Sequence, residues 1–178
     1  MNRNRWKIAL GILLGLLLVL QLFQIPKTNP AAPPEQGLEA AMQPPADVMT
    51  ALRAACYDCH SNETKYPWYT YVNPPGWIVG NHIREGREAL NFSVFASYSA
   101  EDRAELLEES AEMLAEGEMP LQDYLWMHPE ARLSSAQRSA VLSWLSPGYV
   151  PGQEGGENGS EGRGASNGEH EEHGEHDD

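Results

Sequence analysis

The segment Cys56-Tyr57-Asp58-Cys59-His60 sets two thiols three residues apart, with an imidazole beside the second. On one helical turn such thiols can reach both vinyl groups of a single porphyrin and form thioethers. The adjacent His60 can then swing under the iron as proximal ligand. The chemistry implied is one covalently bound haem c, attached through Cys56 and Cys59. A zinc site would need two further local ligands, and only His82 and His128 remain in the central part of the chain. A thioredoxin-like dithiol would sit at a strand-to-helix junction in a βαβ pattern, which the sequence lacks. A structural disulfide between Cys56 and Cys59 leaves the adjacent His60 unexplained.

The sixth iron ligand decides what such a haem does, because a Met/His pair suits electron carriage and an open position suits ligand binding. Met119, in Gly117-Glu118-Met119-Pro120, is the first candidate, with proline stiffening the loop that would present its sulfur. Its plain alternative is gap-filling in the core, the usual role of methionine. His82, on an apolar helical face, and His128, in Met127-His128-Pro129, are the competitors, with Met127 behind them. Around the motif, Lys65-Tyr66-Pro67-Trp68-Tyr69-Thr70-Tyr71 is rich in rings for a solvent loop. Tyr66, Trp68 and Tyr69 are candidates for packing the haem edge or bonding its propionates, against ordinary core packing. A backbone carbonyl near Asn73, Pro74 or Pro75 could take the Nδ1 proton of His60 and fix its orientation.

The elements that must position these groups read as helices. Asp47 can cap a helix running through Met49, Leu52, Ala55, Cys56 and Cys59 at i, i+3, i+4 spacing. A second starts near Pro74 or Pro75 and carries Val79, His82, Ile83, Gly86 and Leu90 on one face. Ser99 with Asp102 forms a capping box for an acidic third helix that Gly117 ends. Ser134 or Ser135 opens a last helix carrying Val141, Leu142, Trp144 and Leu145. No segment alternates with period two. The expected class is all-α, with residues 47–146 as the haem-binding domain.

The flanks differ in kind. Arg3, Arg5 and Lys7 precede an apolar stretch from Ile8 to Ile25, broken only by Gln21 and Gln24. As a helix it would span ~27 Å, near the thickness of a bilayer core. Residues 1–25 are therefore expected to be a cytoplasmic stub and transmembrane anchor, favoured over a cleaved signal because no small-residue cleavage site follows. The basic flank places the rest on the periplasmic side of the inner (cytoplasmic) membrane in a single pass, where haem is attached covalently. Residues 26–46, with six prolines in Pro26–Pro45, should be an extended linker. Residues 147–178 should be a disordered acidic tail. Its His170, His173 and His176 among carboxylates could take Zn, Cu or Ni, although a solvated tail is the plainer reading. The formal net charge of −14 leaves no basic stripe for a phosphate backbone, which excludes nucleic acid. The seven carboxylates of the third helix read as a solvated face first and a docking patch second.

Several motifs in order carry a resemblance: Cys56–Thr64, Tyr66-Pro67-Trp68-Tyr69, Gly86–Ser93, Met119-Pro120, His128-Pro129-Glu130-Ala131 and Leu133-Ser134. Over roughly residues 40–146 the chain resembles the bacterial haem-binding domain family of single-haem c-type cytochromes. That resemblance implies one covalent haem at Cys56, Cys59 and His60 and leaves the distal ligand open between the Met-Pro and His-Pro motifs. The order of elements is also similar to class I cytochromes c, which favours Met119 by analogy of fold. The function expected is single-electron transfer by a membrane-anchored cytochrome among redox partner proteins, without enzymatic activity. Its alternative is a haem-based sensor or ligand-binding subunit with a weakly held sixth position. Peroxidase-like chemistry comes last, since no second Cys-x-x-Cys-His is present to deliver electrons.

Overall fold

A computed structural model describes residues 3–147. Eight α-helices follow one another: α1 (Arg3–Leu20), α2 (Leu38–Met42), α3 (Ala46–Ala55), α4 (Tyr57–His60), α5 (Pro75–Ala89), α6 (Ala100–Glu116), α7 (Gln122–Met127) and α8 (Ser135–Leu145). Short 3-10 turns intervene, among them Trp68–Tyr71 and Phe92–Ser97, and no strand occurs among the described residues. The fold is all-α.

Local rules explain most of the boundaries. Pro75 opens α5, where its fixed φ suits the first turn and no N–H is missed. Ser99 and Asp102 close a capping box on α6, as Ser134 and Gln137 do on α8. Gly117, at φ 78°, ends α6 in the left-handed region. The core lies where α8 packs on α3 and α6, through Leu52, Leu107, Ala111, Val141, Leu142 and Leu145. Phe92 and Phe95 fill it from the side.

Four expectations need correction. Asp47 does not cap α3; Pro45 holds that position and Asp47 sits in the first turn, where a carboxylate favours the helix dipole. The helix through Cys59 is not continuous, because Cys56 leaves helical geometry at φ −123°. Its carbonyl then accepts from the N–H groups of Cys59 and His60 and starts a fresh turn. The apolar stretch to Ile25 is helical only to Leu20, and no helix among the described residues is long and apolar enough to cross a membrane. Three basic residues occupy the opening of α1, and Gln21 leaves the helix to bond Asn73.

The linker expected over 26–46 also behaves differently. Leu38, on α2, is fully buried in the main core, so the folded unit starts before residue 47. Leu38→Ala in the full chain is expected to cost about 3 kcal/mol, the magnitude typical of emptying a buried leucine site. A linker position would cost less than about 0.5 kcal/mol. Urea unfolding distinguishes them by a lowered midpoint at unchanged slope. The acidic, histidine-containing tail lies outside the described residues beyond Pro147.

Candidate haem site

The fresh turn at Cys56 is held from several sides. The Ser61 hydroxyl donates to the Tyr57 carbonyl at 2.7 Å, and the Thr64 hydroxyl to the Asp58 carbonyl at 2.7 Å. The Lys65 N–H reaches the Asp58 carboxylate at 3.1 Å. From the next segment, Arg87 donates to the Ser61 carbonyl (2.8 Å) and the Thr64 hydroxyl (2.9 Å). Asn91 bonds Asn62 at 2.9 Å, and the Ser93 hydroxyl accepts from the Asn62 N–H at 2.9 Å. The two motifs Cys56–Thr64 and Gly86–Ser93 are thus two halves of one clamp.

Gly86 is what lets the halves meet. A Cβ there would stand 2.9 Å from the Cys59 carbonyl oxygen and 3.1 Å from its carbonyl carbon, and backbone cannot step aside cheaply. Gly86→Ala is expected to destabilise the chain by about 1–3 kcal/mol through overpacking. Thermal unfolding of the full chain measures it, and an unchanged melting temperature would refute the close-packing argument.

His60 is oriented from behind. Its Nδ1 lies 3.2 Å from the Leu90 carbonyl oxygen, which only accepts, so Nδ1 carries the proton and Nε2 keeps its lone pair. Burial also depresses the imidazole's proton affinity and favours the neutral form that can ligate. The expected partner near Asn73–Pro75 is not used; Asn73 faces the N-terminal segment instead. Cys56 and Cys59 are free thiols, so no disulfide joins them. Burial pushes Cys56 up to about 12 and Cys59 up to about 11, the latter helped by Asp58. Both are therefore protonated at neutral pH.

Two cavities of about 140 and 380 Å³ meet at this turn and share Cys56, His60, Met119 and Pro120 in their walls. The smaller is apolar, lined by Leu52, Leu106, Met113, Leu114 and Val141 among others. The larger carries Cys59, Lys65, Tyr69, His82, Tyr124 and His128. A cleft that is apolar throughout, with Lys65, Tyr69, His82, Tyr124 and His128 at one end, suits a flat apolar ring bearing carboxylates at one edge. The donor set fits haem: two thiols, an imidazole with a free Nε2, and a thioether. Cys56, Cys59 and His60 would hold it.

The distal candidates are sorted by their surroundings. Met119 borders both cavities, and its N–H bonds the Met113 carbonyl at 3.1 Å just after the Gly117 turn. His128 has both nitrogens engaged, Nε2 with the Tyr69 hydroxyl at 2.6 Å and Nδ1 with Glu130 at 2.8 Å. Its ring stacks on Tyr124 at 4.1 Å, whose hydroxyl donates to Asp58 at 2.9 Å. His82 borders the larger cavity only, with Nδ1 3.9 Å from Asp123, and Met127 is likewise on that side.

Of the rings expected at the haem edge, Tyr69 lines the larger cavity, whereas Tyr66 and Trp68 line neither. Tyr66 bonds the Thr28 carbonyl at 3.3 Å, and Trp68 stands 71% exposed. In the 3-10 turn over Trp68–Tyr71, residues three apart share a side, so Trp68 and Tyr71 both face outward while Tyr69 faces the cavity. Leu90 and Phe92 were not singled out as positioning groups by the spacing of the motif. Phe92 lies beside His60, ring centroids 6.2 Å apart, and stacks on Tyr57 at 5.1 Å.

No curated protein and no solved structure matches the chain. A family described as a haem-binding domain matches residues 15–147. That span takes in the cleft, both halves of its clamp and α2 with its buried Leu38. The chain therefore belongs to the haem-binding domain family, and haem is its cofactor.

Proposed function

We propose that this chain is a membrane-attached c-type cytochrome that carries single electrons. Cys56 and Cys59 would hold the haem as thioethers, each S–H adding across a vinyl group, and His60 and Met119 would ligate its iron. The observation that carries this reading is the shared wall: Cys56, His60 and Met119 border both halves of one cleft, with Nδ1 of His60 already engaged by Leu90.

Bound haem supplies a one-electron iron couple. The chain's own residues do the rest. Leu90 keeps the imidazole in one tautomer, the apolar wall excludes water, and the Gly117 turn delivers the Met119 sulfur. A filled sixth position leaves nothing for substrate to bind, so no enzymatic step is assigned. The acidic face of α6 favours basic redox partner proteins.

Membrane attachment is supported by α1 itself. From Ile8 to Leu20 its side chains are apolar on every side, with Ile12 67% and Leu18 71% exposed. A helix apolar all round needs apolar surroundings. The haem cleft would lie on the periplasmic side, where haem is attached covalently, with α1 holding it at the membrane.

The test is spectral, on the purified full chain. A pyridine haemochrome typical of thioether-bound haem is expected, with a low-spin ferrous form that ignores carbon monoxide. A high-spin ferrous form that binds carbon monoxide readily would defeat the electron-carrier reading in favour of a ligand sensor.

A further inference from the structure

The segment after α1 does not swing free; it is fastened to the haem domain at one place. Asn73, 2% exposed, spends both amide protons on the end of that helix, donating to the Leu20 carbonyl at 3.0 Å and the Phe23 carbonyl at 2.9 Å. The Leu20 carbonyl closes α1 with the Phe23 N–H at 3.2 Å, and Asn73 adds a second donor there from 53 residues away in sequence. Gln21 returns the contact, its amide bridging the Asn73 N–H (2.8 Å) and carbonyl (3.0 Å). The Trp77 indole donates to the Phe23 carbonyl at 2.6 Å. Gly80 leaves room for Ile25, whose Cδ1 would be 2.9 Å from any added Cβ. Lys27 then sits 4.4 Å over the Tyr71 ring.

The surface around this fastening is unlike the rest of the domain. Trp68, Tyr71, Val72, Trp77 and Ile78 are all exposed there. They occupy the turn and the start of α5 that grip the N-terminal segment. From Lys65 to Asn81 there is no carboxylate, in a chain with 26 of them, and Lys27 adds a second cation. Trp and Tyr beside apolar side chains, with cations and without acids, is the composition of a bilayer interface.

We infer that the haem domain rests on the anionic surface of the bilayer through the face formed by Trp68, Tyr71, Val72, Trp77 and Ile78, in one orientation fixed by the Asn73 fastening. The inference rests on the proposed membrane insertion of α1 and extends it, because the domain's own face enters the headgroup layer. The haem cleft is held beside that face, since Pro67 and Tyr69, flanking Trp68, line the larger cavity.

The test places a benzophenone amino acid singly at Trp68, Ile78, Leu13 or Glu108 in the full chain. Each variant is reconstituted in vesicles of phosphatidylcholine and phosphatidylglycerol and irradiated, and adducts are read by mass spectrometry. Positions 68 and 78 are expected to yield several-fold more phospholipid adduct than 108, an exposed site on the acidic α6, and position 13 to yield it as well. Adducts at 13 with none at 68 and 78 would overturn the seated orientation and leave membrane insertion standing. Protein adducts at 68 and 78 would assign the face to a protein partner and overturn it equally. No lipid adduct at 13 would remove the insertion reading and this inference with it.

Discussion

Cys56→Ala combined with Cys59→Ala releases haem from the chain into acid acetone, whereas the unaltered chain keeps its haem through acid extraction and denaturing electrophoresis. The expectation follows from the bonding. A thioether survives conditions that unfold the protein, and an iron–imidazole bond does not survive protonation of His60. Each single alanine variant should retain haem through its remaining thioether, with the haemochrome band moving to longer wavelength in two steps as vinyl groups are left free. Both cysteines sit where they can share one ring: Cys56 borders both cavities and Cys59 the larger one. If the unaltered chain gives up its haem to acid acetone, covalent attachment is wrong, and the family's haem binding still stands.

Which parts of this arrangement were legible in the sequence follows from the range of the forces involved. The start of α5 depends on the fixed φ of Pro75, and the starts of α6 and α8 on contacts three residues apart, Ser99 with Asp102 and Ser134 with Gln137. Such rules are written in the local sequence. The break at Cys56 is not, because it depends on the clamp that Arg87, Asn91 and Ser93 supply from about thirty residues away. The partner of His60 was misplaced for the same reason. Any carbonyl in reach would serve, and only the packing of α5 through Gly86 decides that Leu90 is the one. The end of α1 was misread because hydropathy counts Gln21 as an interruption and cannot see that its amide is bound to Asn73. Proline content suggested an open tether at 26–46, yet Leu38 is buried there because α2 packs on the Phe92–Ser97 turn.

The same contrast bears on the distal side of the iron. The sequence put Met119 ahead of His82 and His128, on its Met-Pro loop and the order of elements. The geometry separates them by what each would have to give up. His128 would break its 2.6 Å bond to Tyr69 and leave a stacked position on Tyr124. The Tyr69 hydroxyl would lose its partner at a part-buried site. His82 is partly exposed and lies beside Asp123. The Met119 sulfur, a weak acceptor at best, forfeits almost nothing by turning to iron.

Met119→Ala is therefore expected to change the iron more than any other substitution that leaves the haem attached. The weak near-infrared band of sulfur-to-iron charge transfer disappears. The ferrous form becomes high-spin and binds carbon monoxide. The reduction potential falls by on the order of 0.1 V, part of the about 0.8 V range over which axial ligands set haem potentials. The sign follows from the ligand, since a thioether stabilises ferrous over ferric iron and water in its place does not. His82→Ala and His128→Ala leave the band in place, though His128→Ala loosens the Tyr69 side of the cleft. Fold stability answers separately: Met119 is only partly buried and its backbone bond to Met113 survives the substitution, so the unfolding midpoint moves little. A near-infrared band that survives in Met119→Ala, or a variant still inert to carbon monoxide, would take the distal position away from Met119 and pass it to His82.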